Sequence, residues 1–199
     1  ESNSYTGKTL VEGGVLQFGT SGKLTASEDI EINGGEMVIS AGGQLASTAV
    51  VTVNTGGRLV ASTGAITIDT LSLAGGTLEI NGALQLISTQ VELQNAELVF
   101  NPAAGASTLD IANGATPSSR ANITYNGDLA TGNTLLIVGV GETDLKEWTI
   151  GGVKIDGNYD LTANSNGFSI TPIPEPSTYA LFGATGALAL ALLRRKRKA

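Results

Sequence analysis

The chain has 199 residues, 41% of them hydrophobic and 27 of them Gly, which is enough for a buried core and too apolar for permanent disorder. It contains no Cys and no His, so disulfides, thiolate or imidazole metal sites and every histidine-relayed mechanism are excluded. The formal charge of -7 divides into an acidic body, with 6 Lys or Arg against 18 Asp or Glu through residue 175, and five cations near the end; such a body repels phosphates and argues against nucleic acid.

From residue 13 to residue 100 short apolar-polar alternations are broken by Gly, Asn, Ser and Thr about every seven residues. Three such steps make one unit. Gly13-Gly14-Val15-Leu16-Gln17-Phe18 returns 21 residues later as Gly34-Gly35-Glu36-Met37-Val38-Ile39. Lys23-Leu24 returns as Gln44-Leu45, with Ala65-Ile66 beneath it. One column reads Leu16, Met37, Leu59, Leu78, Leu98, and another reads Ile30, Val51, Leu71, Val91 beside Ile32, Val53, Leu73, Leu93.

A fixed period near 20 residues, in strands too short for stable hairpins, predicts a solenoid whose units bury apolar faces only by stacking. The expected fold is all-β: a right-handed parallel β-helix of about 21 residues and three strands per turn, with Gly and Asn at corners that need φ > 0. Leu45, Val51, Val53, Leu59, Ile66, Leu71, Leu73, Leu78 and Ile80 are expected to point inward. An antiparallel sandwich of seven-residue strands competes with this reading but gives no reason for the return.

From Asn101 onward the repeat blurs, although strand-like pieces persist at 109–111, 123–125, 135–138, 148–150, 153–155, 159–161 and 168–170. The only Trp and two of the four Tyr lie between residues 101 and 170. Large, less regular residues suit a cap over an open solenoid end. Three segments follow: repeats over 1–100, an irregular β cap over 101–173, and a distinct terminus over 174–199.

That terminus opens with Pro174-Glu175-Pro176 and continues as an uncharged run of 17 residues, 177–193, before Arg194, Arg195, Lys196, Arg197 and Lys198. As a helix the run would rise roughly 25 Å, slightly short of the roughly 30 Å hydrocarbon core of a bilayer. A buried core helix is the competing reading, but five cations are a poor end for one. Positive flanks stay cytoplasmic, so a single transmembrane helix would leave the body outside the cytoplasm, held at an inner membrane. A body on that side needs an export segment, and the chain opens at Glu1 without one. The expectation is a mature form or a fragment of a longer precursor.

The Pro-Glu-Pro tripeptide, the apolar span and the basic cluster, in this order, resemble the PEP-CTERM protein-sorting signal of exported bacterial proteins. The same segment also resembles what is labelled an ice-binding protein C-terminal domain. The first resemblance implies recognition by an exosortase, a transpeptidase-like membrane enzyme, with Pro174, Glu175 and Pro176 as recognition residues, followed by delivery to the cell surface or extracellular matrix. The body is similar to autotransporter-associated β-strand repeats, and 122–171 to their closing segment. That likeness implies passenger-like surface proteins.

Sites of chemistry are few. Some right-handed β-helices are polysaccharide lyases or hydrolases built on clustered carboxylates. The acids available are Asp110, Asp128, Asp144, Asp156 and Asp160, with Arg120, Lys146 and Lys154 as bases or clamps, but nothing in the sequence aligns them on one face. Asp156-Gly157-Asn158-Tyr159-Asp160 opens like a calcium loop, yet Leu161 and Gly167 stand where Gly and Glu are required. Gly139-Val140-Gly141-Glu142 lacks the Lys and the following helix of a phosphate loop. Asn122-Ile123-Thr124 matches a glycosylation sequon. Ice binding would require a flat Thr array, whereas the outward ladders read Glu31, Thr52, Ser72, Glu92; Thr25, Ala46, Thr67; and Gln17, Val38, Val60, Glu79, Val99.

The expectation is therefore a non-enzymatic exported surface or matrix protein, structural or adhesive, without cofactor or metal. Its partners would be an exosortase-type enzyme, the inner membrane through 177–193, and extracellular polysaccharide. A carbohydrate-active β-helix enzyme or glycan-binding module is the first alternative, and an ice-binding protein the second.

Overall fold

Apolar residues at alternate positions, with Gly or Asn after each short run, give strands that bury one face and then turn. The computed structural model describes residues 2–19, 21–101, 106–111, 115, 120–126, 134–164 and 167–173. Its first strands are β1 (Ser2–Asn3), β2 (Thr9–Val11), β3 (Val15–Phe18) and β4 (Lys23–Leu24), followed by β5 (Asp29–Ile32), β6 (Glu36–Ile39) and β7 (Gln44–Leu45). Next come β8 (Val50–Asn54), β9 (Arg58–Thr67), β10 (Thr70–Ala74), β11 (Thr77–Ile87), β12 (Gln90–Gln94) and β13 (Ala96–Asn101).

Strands one turn apart pair in parallel, which makes the body a β-solenoid and not a sandwich. One sheet holds β1, β4 and β7; a second stacks β2, β5, β8, β10 and β12, one strand from each of five turns; the third begins β3, β6, β9, β11, β13. β9 and β11 are long enough to bend round a corner. Their first halves lie in the third sheet, and their second halves pair Gly64–Thr67 with Leu84–Ile87 after a register shift between Asn81 and Leu84.

The interior is built of the columns read in the sequence. Leu16 pairs with Met37, Met37 with Leu59, Leu59 with Leu78, and Leu78 with Leu98. Ile30, Val51, Leu71 and Val91 share one level line, and Ile32, Val53, Leu73 and Leu93 another. All nine residues expected to point inward are buried. Each such Val, Leu or Ile contributes about 1.5–3 kcal/mol through burial, so the stack itself is the core.

The Gly-Gly corners between the second and third sheets divide two tasks between their members. Gly56 and Gly75 hold φ of 86° and 74°, in the left-handed region. Gly57 and Gly76 instead sit where a Cβ would lie 2.2 Å from the carbonyl oxygen of Ile32 and 2.4 Å from that of Val53, one turn below. In the fifth turn Asn95 takes the left-handed position at φ 51° and Ala96 the crowded one.

Parallel stacking runs past residue 101. β14 (Ala106–Ile111) lies on the second half of β11, β15 (Ala121–Tyr125) on β13, β16 (Thr134–Val138) on β14, and β17 (Thr149–Ile150) on β15. The end is then closed by antiparallel pairing: β18 (Val153–Lys154) on β17, and β20 (Gly167–Pro172) between β16 and β19 (Tyr159–Asn164). A short helix, α1 (Glu142–Glu147), drops Leu145 into this end beside the fully buried Trp148.

That helix corrects the expectation that none follows Gly139-Val140-Gly141. Glu142 and Asp144 in the first turn suit its positive end, Lys146 pairs with Glu142 at 2.7 Å, and one buried Leu anchors it. At six residues it is too short to present an anion site. No helix among the described residues is long and apolar enough to cross a membrane.

Candidate functional site

The sorting residues Pro174, Glu175 and Pro176, the run 177–193 and the basic cluster Arg194, Arg195, Lys196, Arg197 and Lys198 lie outside the described residues. What the fold fixes is their point of departure. β20 ends at Pro172, level with Tyr159, and the Ile173 amide donates to the Asn158 carbonyl at 3.1 Å. The chain thus reaches residue 174 from the closed end of the solenoid, one residue beyond its last described hydrogen bond.

The carboxylates weighed as catalytic sit on different elements. Asp110 is on β14, Asp144 on α1, Asp156 in the turn after β18, and Asp160 on β19, while Asp128 is outside the described residues. Lys146 is engaged by Glu142, and Lys154 donates to Glu147 at 3.1 Å. Lys154 beside Glu147 holds that carboxyl below its ordinary range, first by the hydrogen bond and then by charge; Glu142 raises the Lys146 ammonium in the same way. Among the described residues no group of three or more acidic side chains is placed to hold a metal ion. The calcium-like stretch forms a turn: Gly157 has φ 77°, and the Asn158 amide donates to the carbonyls of Lys154 and Asp156.

The sequon residues belong to a polar network on the outer face of the third sheet. Asn122 donates to Glu97 at 2.7 Å, Thr124 donates to the other oxygen of Glu97, and Thr149 donates to the Asn122 carbonyl oxygen at 2.6 Å. Glu97, Asn122 and Thr149 line a shallow groove of about 390 Å³ together with Arg120 and Glu147. Glu97, Asn122 and Thr149 bond one another across three turns, which is how a parallel stack holds an outward carboxylate in place.

Two further devices escaped the sequence reading. Asn101 donates to Asn81 at 2.8 Å and to Glu79 at 2.8 Å, and Asn126 donates to Asn101 at 2.7 Å, so one column of amides ties successive turns. Asn54 donates to Asn33 at 2.6 Å on another corner. Arg58 joins three turns, with Glu36 at 3.7 Å on one side and Glu79 on the other. Asn after each strand was read only as a turn former; the 21-residue return of Asn33 at Asn54 is the signal that marks it as a ladder.

Two of the three outward ladders hold in register. Glu31, Thr52, Ser72 and Glu92 lie level, as do Gln17, Val38, Val60, Glu79 and Val99. The third does not hold at Ala46, which is 4% exposed and packs in the core, because the chain turns there and a methyl group fits inward beside Leu45.

Compared with known families, residues 172–198 match the PEP-CTERM protein-sorting motif. No curated protein and no solved structure matches the chain.

Proposed function

We propose that the chain is an exported substrate of an exosortase-type membrane enzyme, and that its β-solenoid serves as a structural or adhesive module at the cell surface or in the extracellular matrix, with no catalysis of its own. The observation that carries this reading is the sorting motif at 172–198, which begins on the last residue of β20. The closed end of the solenoid therefore presents the Pro-Glu-Pro stretch to the processing enzyme. Pro lacks an amide donor and biases its predecessor towards extended geometry, so residues 174–176 enter as extended peptide.

In this reading residues 177–193 form a marginal transmembrane helix, and the five cations keep its end cytoplasmic. The coil is right-handed, as parallel crossovers nearly always are. Extracellular polysaccharide is the expected surface partner. The mixed composition of the outward ladders supports a structural module over a Thr-based ice-binding face.

Mass spectrometry of the secreted protein from a host with an exosortase tests the reading. The expected product ends near Pro174-Glu175-Pro176 and lacks the basic cluster. A secreted product intact through Ala199, or unchanged processing after Glu175→Ala with Pro176→Ala, would overturn it.

A further inference from the structure

The sorting signal and the folded cap share residues. The motif match opens at residue 172, while β20 runs to Pro172 and the Ile173 amide is bonded to the Asn158 carbonyl, so the first two residues of the signal still belong to the β19–β20 hairpin. We propose that the end of this hairpin, residues 171–173, is a gate on processing: the enzyme engages the signal only when these three residues peel from β19, and the buried Ile170 fixes how far they peel. The gate stands only within the exosortase reading given for the chain.

The hold on these residues weakens stepwise toward the signal. Ile170 is fully buried, level with Leu135 of β16 on one side and Leu161 of β19 on the other. Beyond it, among the described residues, only β19 pairs with β20, placing Asp160 opposite Thr171 and Tyr159 opposite Pro172. Pro172 has no amide to donate. The Asn158 amide turns back to the Ile155 carbonyl at 3.1 Å, so it does not return the bond that Ile173 gives. Thr171 and Ile173 are both exposed, and releasing them uncovers less apolar surface than releasing Ile170. Local opening therefore costs least over 171–173 and rises sharply at Ile170.

Engagement requires this opening for a main-chain reason. An enzyme that takes its substrate as an extended strand binds it through backbone amides and carbonyls. The Ile173 amide cannot serve Asn158 and the enzyme at once, and β19 flanks residues 171 and 172 along the same edge. When opening and closing are faster than the cut, the rate follows the open population. The cap thus sets the pace of its own processing.

The chain has no cysteine, and Asp160 and Thr171 are exposed and opposed. Opposed residues of an antiparallel pair have Cα atoms about 4.5 to 5.5 Å apart, within disulfide range. Asp160→Cys with Thr171→Cys therefore staples the gate without touching the matched residues 172–198. The full chain is oxidised or reduced before it meets membranes from a host with an exosortase. The oxidised double variant is expected to be cut at least about tenfold more slowly than the same variant reduced. Inserting Gly-Ser-Gly-Ser between Thr171 and Pro172 leaves the signal whole but unhooks it from Tyr159 and Asn158, and should speed the cut about fivefold, the equivalent of one hydrogen bond. Equal rates for the oxidised and reduced forms would overturn the gate. So would an insertion that speeds the cut while the staple changes nothing, since distance from the bulk of the body would then be the cause. A native chain left uncut by membranes that cut another exported substrate would instead refute the exosortase reading, and the gate with it.

Discussion

Arg58 and Glu79 form an ion pair across consecutive turns of the third sheet, and the carboxylate is the more buried partner, with 11% of its side chain exposed against 45% for the arginine. Glu79 also accepts from Asn101 one turn farther on, so its charge is held from both sides. Removing the arginine leaves that carboxylate with amide support alone. Arg58→Ala is expected to cost about 1–3 kcal/mol in denaturant melts, the exposure of Arg58 keeping it below the value for a fully buried pair. Lys8→Ala, which breaks an exposed pair with Glu31, should change stability far less than Arg58→Ala. Equal losses in the two variants would refute the asymmetry.

The two faces of β8 differ in the same way. Val53 is fully buried between Ile32 and Leu73, while its neighbour Thr52 lies on the outer face between Glu31 and Ser72. Val53→Asp places an unpartnered charge in the stack and should cost several kcal/mol, enough to unfold the repeat. Thr52→Asp adds only a like charge beside Glu31 and should cost less than about 1 kcal/mol. Thermal melts showing equal effects would mean that the strand is shifted by one residue.

Gly57 tests the corner. A methyl group there meets the Ile32 carbonyl of the turn below, a backbone atom that cannot step aside without opening the stack. Gly57→Ala should cost about 2–3 kcal/mol by overpacking. Gly19→Ala, where nothing lies within 4 Å, should stay within about 0.5 kcal/mol. A neutral Gly57→Ala would show that the corner breathes.

The columns of Leu16 and Ile30 were legible because a parallel stack repeats the same environment at each turn, so its residues recur at the same spacing. The signal fades where that spacing stretches. Leu98 pairs with Ile123 and Ile123 with Ile150, steps of 25 and 27 residues in place of about 21, so the stack continues after the written repeat is lost. α1 was not legible because six residues with one buried Leu carry too little periodicity. Periodicity assigns a face but not a contact, so Glu79 could be placed outward without revealing that Arg58 lies against it. Ala46 was misplaced because alternation ends where a corner begins. The sorting motif needed no fold to be read, since its order of Pro-Glu-Pro, apolar run and cations is itself the signal.

The closing strand β20 and the early edge strand β2 stand at opposite ends of the stack, and the second sheet counts five strands between its limits. Strands in a sheet are about 4.8 Å apart, so the five strands of the second sheet cover roughly 19 Å from first to last, a length that changes only in whole turns. Gaining or losing one turn of about 20 residues would shift the early edge by a single strand width, leaving the facing of every other side chain as it was. The length of the body is thus quantised by its sequence repeat.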